Sequence, residues 1–168
     1  MFLLTGTPGV GKSTIADLLE KKGYTITRAK DTVEKFVLEG SDDEPCDEIS
    51  VDVDAWAAHF KTREGIVEGH FSHFIPGAEG VIVLRCNPEI LVERLRARGY
   101  KEEKLRENGE AEALDVILIE TFDLYHEDKI YEIDVSSLSP EEVVAQVEHV
   151  LHGQAFPCCG IVDWTWWL

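Results

Sequence analysis

The residues whose identity and spacing most clearly indicate a chemical function lie within the first fourteen positions. Residues 6–13 read Gly-Thr-Pro-Gly-Val-Gly-Lys-Ser, which matches the pattern G-x-x-x-x-G-K-[ST]. Glycines at this spacing let several backbone N–H groups point at one anion, and a helix that begins at Lys12 adds the positive potential of its N-terminus. The pattern predicts a loop for the triphosphate of ATP, where Lys12 reaches the β- and γ-phosphates, Ser13 ligates Mg²⁺ and Thr14 contacts the α-phosphate.

The rest of the chain narrows the class of phosphate-binding protein. A guanine-specific GTPase carries N-K-x-D downstream of the loop, and a transport ATPase carries a Ser-Gly-Gly signature. Neither string occurs in these 168 residues. The short chain is typical of a small kinase that acts on a metabolite or a nucleotide.

A second candidate cluster is Ile66-Val67-Glu68-Gly69-His70. In an extended segment Glu68 and His70 point to the same side, and the carboxyl end of a central strand faces the ligand crevice. Glu68 is predicted to hold the magnesium through water, and His70 to orient or deprotonate an attacking water. The alternative is an ordinary acid at a strand end beside a loop histidine. The nearby His73 is interpreted as structural.

A third cluster contains two arginines one helical turn apart, Arg94 and Arg98. Arginine commonly clamps a phosphoryl group during transfer, so Arg98 is a candidate catalytic residue. The charged residues 101–106 that follow could close over a nucleotide. The alternative is a solvated helix face with Glu–Lys pairs.

Strands and helices alternate along the chain, which predicts an α/β sandwich with a mostly parallel sheet. Apolar runs predict strands at 2–5, 24–28, 65–68, 81–86 and 130–135. Helical spacing and capping residues predict helices at 12–22, 32–38, 53–61, 88–98, 111–126 and 140–151. The segment 40–48 has the composition of a loop.

Composition indicates one globular domain, assigned to residues 1–152, with a tail at 153–168. Thirty-three acids against 16 bases give a net charge of −17, which disfavours nucleic-acid binding and suits a basic protein partner, a salty cytoplasm or solubility alone. The four cysteines form no C-x-x-C pair, so neither a zinc site nor a disulfide framework is expected. No membrane span and no signal peptide are recognised, which makes the cytoplasm the expected location.

These clusters together resemble the small atypical adenylate kinases, known as adenylate kinase isoenzyme six or coilin-interacting nuclear ATPase. The matching residues are Leu4-Thr-Gly-Thr-Pro-Gly-Val-Gly-Lys-Ser-Thr14, Val67-Glu68-x-His70, and Arg94-Leu-x-x-Arg-Gly-Tyr100 followed by Lys104-Leu and Asn108. They span roughly residues 3–151 in one order, which is more specific than any one motif. The short form of the chain resembles the archaeal members.

The resemblance implies a nucleoside-monophosphate-kinase fold, a three-layer P-loop NTPase with five parallel strands. It implies an AMP-side segment at about 28–51 and a lid at about 97–107. It also implies adenylate kinase and ATPase activities, and a role in late maturation of the small ribosomal subunit through a basic protein of the uS-eleven type. The ATP contacts that it implies are the backbone of Gly9, Gly11 and their neighbours, Lys12, Ser13, Thr14 and Arg98, with adenine near Ser139. Glu68 and His70 are implied as the pair for the magnesium and the water.

Two positions depart from the family pattern. Relatives often place an arginine three residues after the acid that starts the AMP-side helix, whereas Asp31 is followed at that distance by Glu34. Lys35, Arg28 and Arg63 are the candidates to replace this phosphate clamp. The second departure is Glu68, which stands where animal relatives carry Asp.

Three functions remain open on sequence grounds. The leading prediction is a nucleotide kinase and ATPase of ribosome assembly, in which the acidic segment 40–54 contacts the basic partner or is simply a solvated loop. The others are a purely metabolic kinase and a binding module that uses ATP only as a clamp. The tail carries Trp164, Trp166 and Leu168, which would share one face if extended, and packing on its own domain is favoured over a dimer or partner contact.

Overall fold

A five-stranded parallel sheet forms the centre of the protein. The computed structural model describes residues 1–38 and 50–168. The strand order is β2-β3-β1-β4-β5, so that β1, which carries the phosphate-loop motif at its end, lies in the middle. The strands are β1 (Phe2–Thr5), β2 (Ile26–Arg28), β3 (Ile66–Glu68), β4 (Gly80–Arg85) and β5 (Ile130–Asp134).

Helices cover both faces of this sheet. The helices are α1 (Lys12–Lys21), α2 (Val53–His59), α3 (Pro88–Ala97), α4 (Glu102–Ala113), α5 (Val116–Leu124) and α6 (Pro140–Leu151). Side chains alternate along β1, so Leu4 packs into the core beneath α1, α3 and α6, while Leu3 packs into the core beneath α2 and α5. Because both faces are covered, β4 is buried along its whole length. The expected three-layer α/β fold is confirmed.

Two helix starts show the expected capping chemistry. The side chain of Asn87 accepts a hydrogen bond from the N–H of Glu89, at 2.8 Å, with Pro88 in the first turn. Ser139 and Glu142 form the predicted capping box at the start of α6. These local signals fixed the start of both helices.

Two helix predictions are wrong. Residues 32–38 form no α-helix: 3₁₀ turns occupy Ala29–Thr32 and Glu34–Phe36, and Val37 is extended and bridged to Val51. The predicted long helix at 111–126 is instead two helices, α4 and α5. They are separated at Asp115, whose φ of 56° is left-handed and whose carboxylate pairs with Arg85. The predicted loop at 40–48 lies outside the described residues.

The tail packs on its own domain but not as an extended strand. A 3₁₀ turn at Thr165–Trp167 directs Trp164 inward, where it is 7% exposed, and leaves Trp166 60% exposed. The prediction that Trp164, Trp166 and Leu168 share a face is therefore wrong. Earlier in the tail, Cys158 forms a parallel bridge to Tyr131 at the sheet edge. Among residues 1–38 and 50–168, no helix has the length and apolar character needed to cross a membrane.

Candidate active site

The loop between β1 and α1 is shaped by glycines whose backbone conformations strain other residues. Gly6 has a φ of 140°, and a Cβ on it would lie 2.4 Å from the carbonyl oxygen of Leu84. Gly11 has a φ of 115° and caps α1 in the left-handed region. The first turn of α1 holds no acidic residue, so the positive potential of its N-terminus is not neutralised from within the helix. The loop is thus built to receive an anion.

Lys12 lies buried within this loop, with 7% of its surface exposed. Its ammonium donates to the carbonyl oxygens of Gly6, at 2.6 Å, and Thr7, at 3.0 Å. The adjacent Ser13 and Thr14 are exposed at the start of α1. Lys12, Ser13 and Thr14, which were predicted to contact phosphate or magnesium, therefore all lie at the start of α1.

Glu68 approaches the loop because β3 runs parallel to β1 with Leu4 and Glu68 in register. The Glu68 carboxylate is 5% exposed and accepts a hydrogen bond from the Ser13 hydroxyl at 3.1 Å. Two neighbouring oxygens of this kind suit Mg²⁺, which binds few protein ligands beside water and substrate phosphates. The described residues contain no group of three or more His, Cys, Asp and Glu side chains that could hold a metal alone. The pair therefore fits a magnesium that arrives with a nucleotide.

His70 follows β3 and lies, like Glu68, beside the phosphate loop. It is exposed, and its ring meets the edge of Phe71 at a centroid distance of 4.6 Å. Its carbonyl oxygen accepts from the Thr5 hydroxyl at 3.2 Å, so the end of β1 holds the backbone that carries the imidazole. Glu68 and His70 both line one cavity beside the phosphate loop, and their roles stay predictions.

His73 is a buried neighbour with a different character. Its Nδ1 lies 3.0 Å from the Thr5 hydroxyl oxygen and its Nε2 lies 3.1 Å from the Glu120 carboxylate. Burial, together with the charges of His70 and Lys12, lowers the pKa of His73 to about 4. A neutral His73 therefore anchors the segment behind His70, in line with its structural interpretation.

Arg94, in α3, and Arg98, at the end of α3, have different roles. Arg94 donates to the carbonyl oxygen of Val10 at 3.2 Å and supports the phosphate loop. Arg98 caps the end of α3, is exposed, and lines cavities on both sides of the loop. Beyond it, Lys104 pairs with Glu107 and Arg106 pairs with Glu110 on the surface of α4. For these two residues the alternative of a solvated face holds.

Two cavities meet at the loop and share Gly9 and Arg98. The first, of about 170 Å³, is mostly apolar and extends toward the start of α6. It is lined by Gly9, Val10, Gly11, Thr14, Ile15, Arg94, Arg98, Val135, Leu138, Pro140 and Val143. Ser139 is not among these residues, because its side chain is engaged in the capping box with Glu142. Its neighbours Leu138 and Pro140 line the cavity instead.

The second cavity, of about 160 Å³, lies on the other side of Lys12. It is lined by Pro8, Gly9, Lys12, Ser13, Lys30, Val33, Val51, Glu68, Gly69, His70, Arg98 and Tyr100. Lys35, Arg28 and Arg63 were the candidates for a phosphate clamp on sequence grounds, and Lys30 was not among them. Its position just beyond β2, at the carboxyl edge of the sheet, is the signal that could have found it.

Two of those three cations are engaged elsewhere. Arg28 pairs with Asp17 and Glu20 on α1, and the charge of these acids raises its pKa against the opposing effect of burial. Arg63 donates to the carbonyl oxygen of Pro76 at 3.1 Å. Neither residue lines the second cavity, and Lys35 does not line it either. Lys30 lines that cavity instead, together with Lys12 and Arg98.

Comparison with solved structures supports the fold. A shikimate kinase from Acinetobacter baumannii, in complex with shikimate, superposes with a TM-score of 0.56 at 16% identity, covering 90% of this chain and 92% of that one. A gluconokinase from Sinorhizobium meliloti gives a TM-score of 0.50 at 19% identity, covering 92% and 96%. At these identities the likeness concerns the fold alone.

Comparison of sequences identifies the family. Residues 3–115 match the model of an AAA domain family. A protein of Archaeoglobus fulgidus named "Putative adenylate kinase" is 46% identical, covering 91% of this chain and 83% of its own length. One of the same name from Methanothermobacter thermautotrophicus is 39% identical, covering 100% and 99%. With its phosphate loop, its P-loop kinase fold and these relatives, the chain belongs to the archaeal adenylate-kinase-like family.

Proposed function

We propose that this protein is an Mg²⁺-dependent ATP:AMP phosphotransferase that also hydrolyses ATP. The observation that carries the proposal is the meeting of two cavities at one phosphate loop, where they share Gly9 and Arg98. Lys12, Ser13 and Glu68 line the second of these cavities. A donor nucleotide fits the first cavity and an acceptor fits the second. The proposal includes residues 28–51 as the acceptor-side segment, residues 97–107 as the lid and a cytoplasmic location; residues 39–49 of that segment lie outside the described part.

On the donor side, the backbone N–H groups of the loop and the Lys12 ammonium bind the β- and γ-phosphates. To do so Lys12 leaves the carbonyl oxygens of Gly6 and Thr7, which hold it in the structure. Ser13, and Glu68 through water, would hold the magnesium, which would supply positive charge to the phosphate oxygens. Adenine lies against the apolar wall between Arg94 and the start of α6.

On the acceptor side, Lys30 and Arg98 supply positive charge to the phosphate of AMP. An oxygen of that phosphate bonds to the γ-phosphorus while the bond from the γ-phosphorus to the β–γ bridging oxygen breaks. ATP and AMP thereby give two ADP. Placement of the two substrates is the main catalytic effect, since phosphoryl transfer needs alignment and charge stabilisation above all.

Hydrolysis uses the same donor site without an acceptor. The oxygen of a water in the second cavity bonds to the γ-phosphorus while the bond to the β–γ bridging oxygen breaks, which gives ADP and phosphate. His70, held through its carbonyl oxygen by Thr5, orients this water or accepts its proton. Because Glu68 would hold the magnesium, the proton is assigned to His70. We expect His70→Ala to lose most of the ATPase activity, because the remaining residues hold the nucleotide but not the water.

A coupled assay tests the enzyme activity. Turnover of Mg·ATP is measured alone and with AMP, CMP, UMP or GMP, for the wild type, Lys12→Ala and His70→Ala. We expect AMP to raise turnover well above hydrolysis, and Lys12→Ala to abolish both activities. Unstimulated hydrolysis with every acceptor would leave only the ATPase, and tight binding without turnover would indicate a nucleotide-operated binding module. Wild-type hydrolysis by His70→Ala would refute the role of His70.

A finer proposal concerns the biological role, namely ATP-controlled binding of a basic small-subunit ribosomal protein during 16S rRNA maturation. It rests on the resemblance of the motifs and on the net charge of −17, which attracts a basic chain and repels RNA. The acidic residues proposed as the contact lie at 40–54, of which 50–54 are described. A pull-down of that basic protein with and without ATP tests the role. Association that does not respond to ATP would favour a purely metabolic kinase.

A further inference from the structure

A buried charge cluster beneath the phosphate loop has no part in the proposed chemistry. Arg85, Glu112 and Glu132 are each 2% exposed. The Arg85 guanidinium donates to Glu112 at 2.9 Å and to Glu132 at 2.6 Å, and it also pairs with Asp115. Burial opposes its charge, but these carboxylates raise the pKa of Arg85, so it stays protonated. One cation therefore faces three acids in a place where unpaired charge is costly.

Glu112 connects this cluster to the phosphate loop. One of its carboxylate oxygens accepts from Arg85 and from the N–H of Cys86, both at 2.9 Å. The other accepts from the hydroxyl of Thr7, the second residue of the loop, which is 2% exposed. The carbonyl oxygen of Thr7 in turn accepts from Lys12 at 3.0 Å. Thr7 is thus held by Glu112 through its side chain and by Lys12 through its backbone.

The cluster also ties together elements that are distant in sequence. Glu112 lies in the last turn of α4, the helix whose first half belongs to the proposed lid. The tail also contacts this cluster. The ring of Trp164 lies 5.1 Å from the Arg85 guanidinium carbon, and the N–H of Ile161 donates to Glu132 at 2.8 Å. α4, the tail and the phosphate loop therefore meet at one buried set of charges.

We propose that Glu112 is a positioning residue of the phosphate site, which fixes Thr7 and so holds the glycine-rich loop in its binding conformation. A loop with left-handed glycines loses much conformational freedom when it closes on a ligand, and an anchor formed in advance reduces that cost. A carboxylate this close to a phosphate site repels the ligand, which makes a direct contact role unfavourable. The inference rests on the proposed nucleotide site.

The test separates loop positioning from simple stability. Thr7→Val removes the hydroxyl that Glu112 holds, and Thr7→Ser restores it. Thr121→Val is the matched control, since Thr121 is fully buried and its hydroxyl donates to Ile117 within α5. For each variant, calorimetry gives the Kd of a non-hydrolysable ATP analogue with Mg²⁺, and urea unfolding without nucleotide gives the stability.

We expect Thr7→Val to raise the Kd about tenfold, the effect of losing one buried hydrogen bond to a charged group. Thr7→Ser should bind within about twofold of the wild type by the same reasoning. Thr121→Val should lose stability with an unchanged Kd. If Thr7→Val loses stability as Thr121→Val does but binds like the wild type, Glu112 is only structural and the inference is wrong. Failure of the wild type itself to bind would instead refute the nucleotide site.

Discussion

The buried His73 makes a prediction about the pH dependence of stability. Its side chain is 1% exposed and lies between Thr5 and Glu120, with Lys12 and His70 as the nearby cations. Burial and those two charges lower its pKa from 6.5 to about 4. The folded protein therefore keeps His73 neutral at pH values where the unfolded chain protonates it.

The sign and size of the effect follow from this difference. Between pH 6.5 and pH 4 the unfolded state binds more protons than the folded state, so the free energy of unfolding falls as the pH falls. Above pH 6.5 the contribution is fully present. From pH 7 to pH 5, a group with these two pKa values removes about 2 kcal/mol of stability. The loss would approach about 3 kcal/mol near pH 4.

Urea unfolding at pH 7, 6 and 5 tests this prediction on the wild type, His73→Gln and His149→Gln. His149 is exposed on α6, so its variant should show the wild-type pH dependence. Carboxylates gain protons as the pH falls in all three proteins, and the comparison cancels their contribution. We expect His73→Gln to lose about 2 kcal/mol less than the wild type between pH 7 and pH 5. Equal losses in the wild type and His73→Gln would refute a neutral, buried His73.

Three further variants test other parts of the site, each beside a matched control. In the coupled assay, Lys30→Ala should raise the KM for AMP about tenfold and leave the KM for ATP unchanged, because it removes a charged contact to the acceptor phosphate. The control Lys35→Ala should change neither KM. Trp164→Leu should cost roughly 2 kcal/mol in urea unfolding because it uncovers Arg85, whereas Trp166→Leu, at an exposed position, should change stability by less than about 0.5 kcal/mol. Gly6→Ala should abolish nucleotide binding in calorimetry, since the added methyl group would meet the Leu84 carbonyl oxygen. The control Gly99→Ala, which has open space around the added methyl group, should cost only about 1–2 kcal/mol of backbone strain.

The sequence predicted those parts of the site that depend on local geometry. The phosphate loop is contiguous, and Glu68 and His70 occupy one strand end, so spacing alone placed them. The alternation of strands and helices along the chain predicted the α/β sandwich with a mostly parallel sheet. These features need no knowledge of distant contacts.

The missed features depend on contacts between distant residues. The break between α4 and α5 occurs at Asp115, which pairs with Arg85 thirty positions earlier. The role of Glu112 depends on Thr7, 105 positions away. Packing of the tail on its own domain was expected, but the contact of Trp164 with the Arg85 guanidinium could not be inferred from the tail. Lys30 was missed because no motif marks it; only its place just beyond β2 does.

The arrangement of the two cavities suggests how transfer and hydrolysis compete. In the proposed function, both reactions use the donor held by Lys12, and both need the space in front of the γ-phosphate. Lys30 and Arg98 decide which nucleophile occupies that space, because a bound acceptor phosphate excludes the water that His70 would activate. Weak acceptor binding therefore shifts the same site from transfer to hydrolysis without any change in the phosphate loop. With Glu34 in place of an arginine, the balance in this proposal depends on how well the flexible ammonium of Lys30 replaces the bidentate contact of a guanidinium.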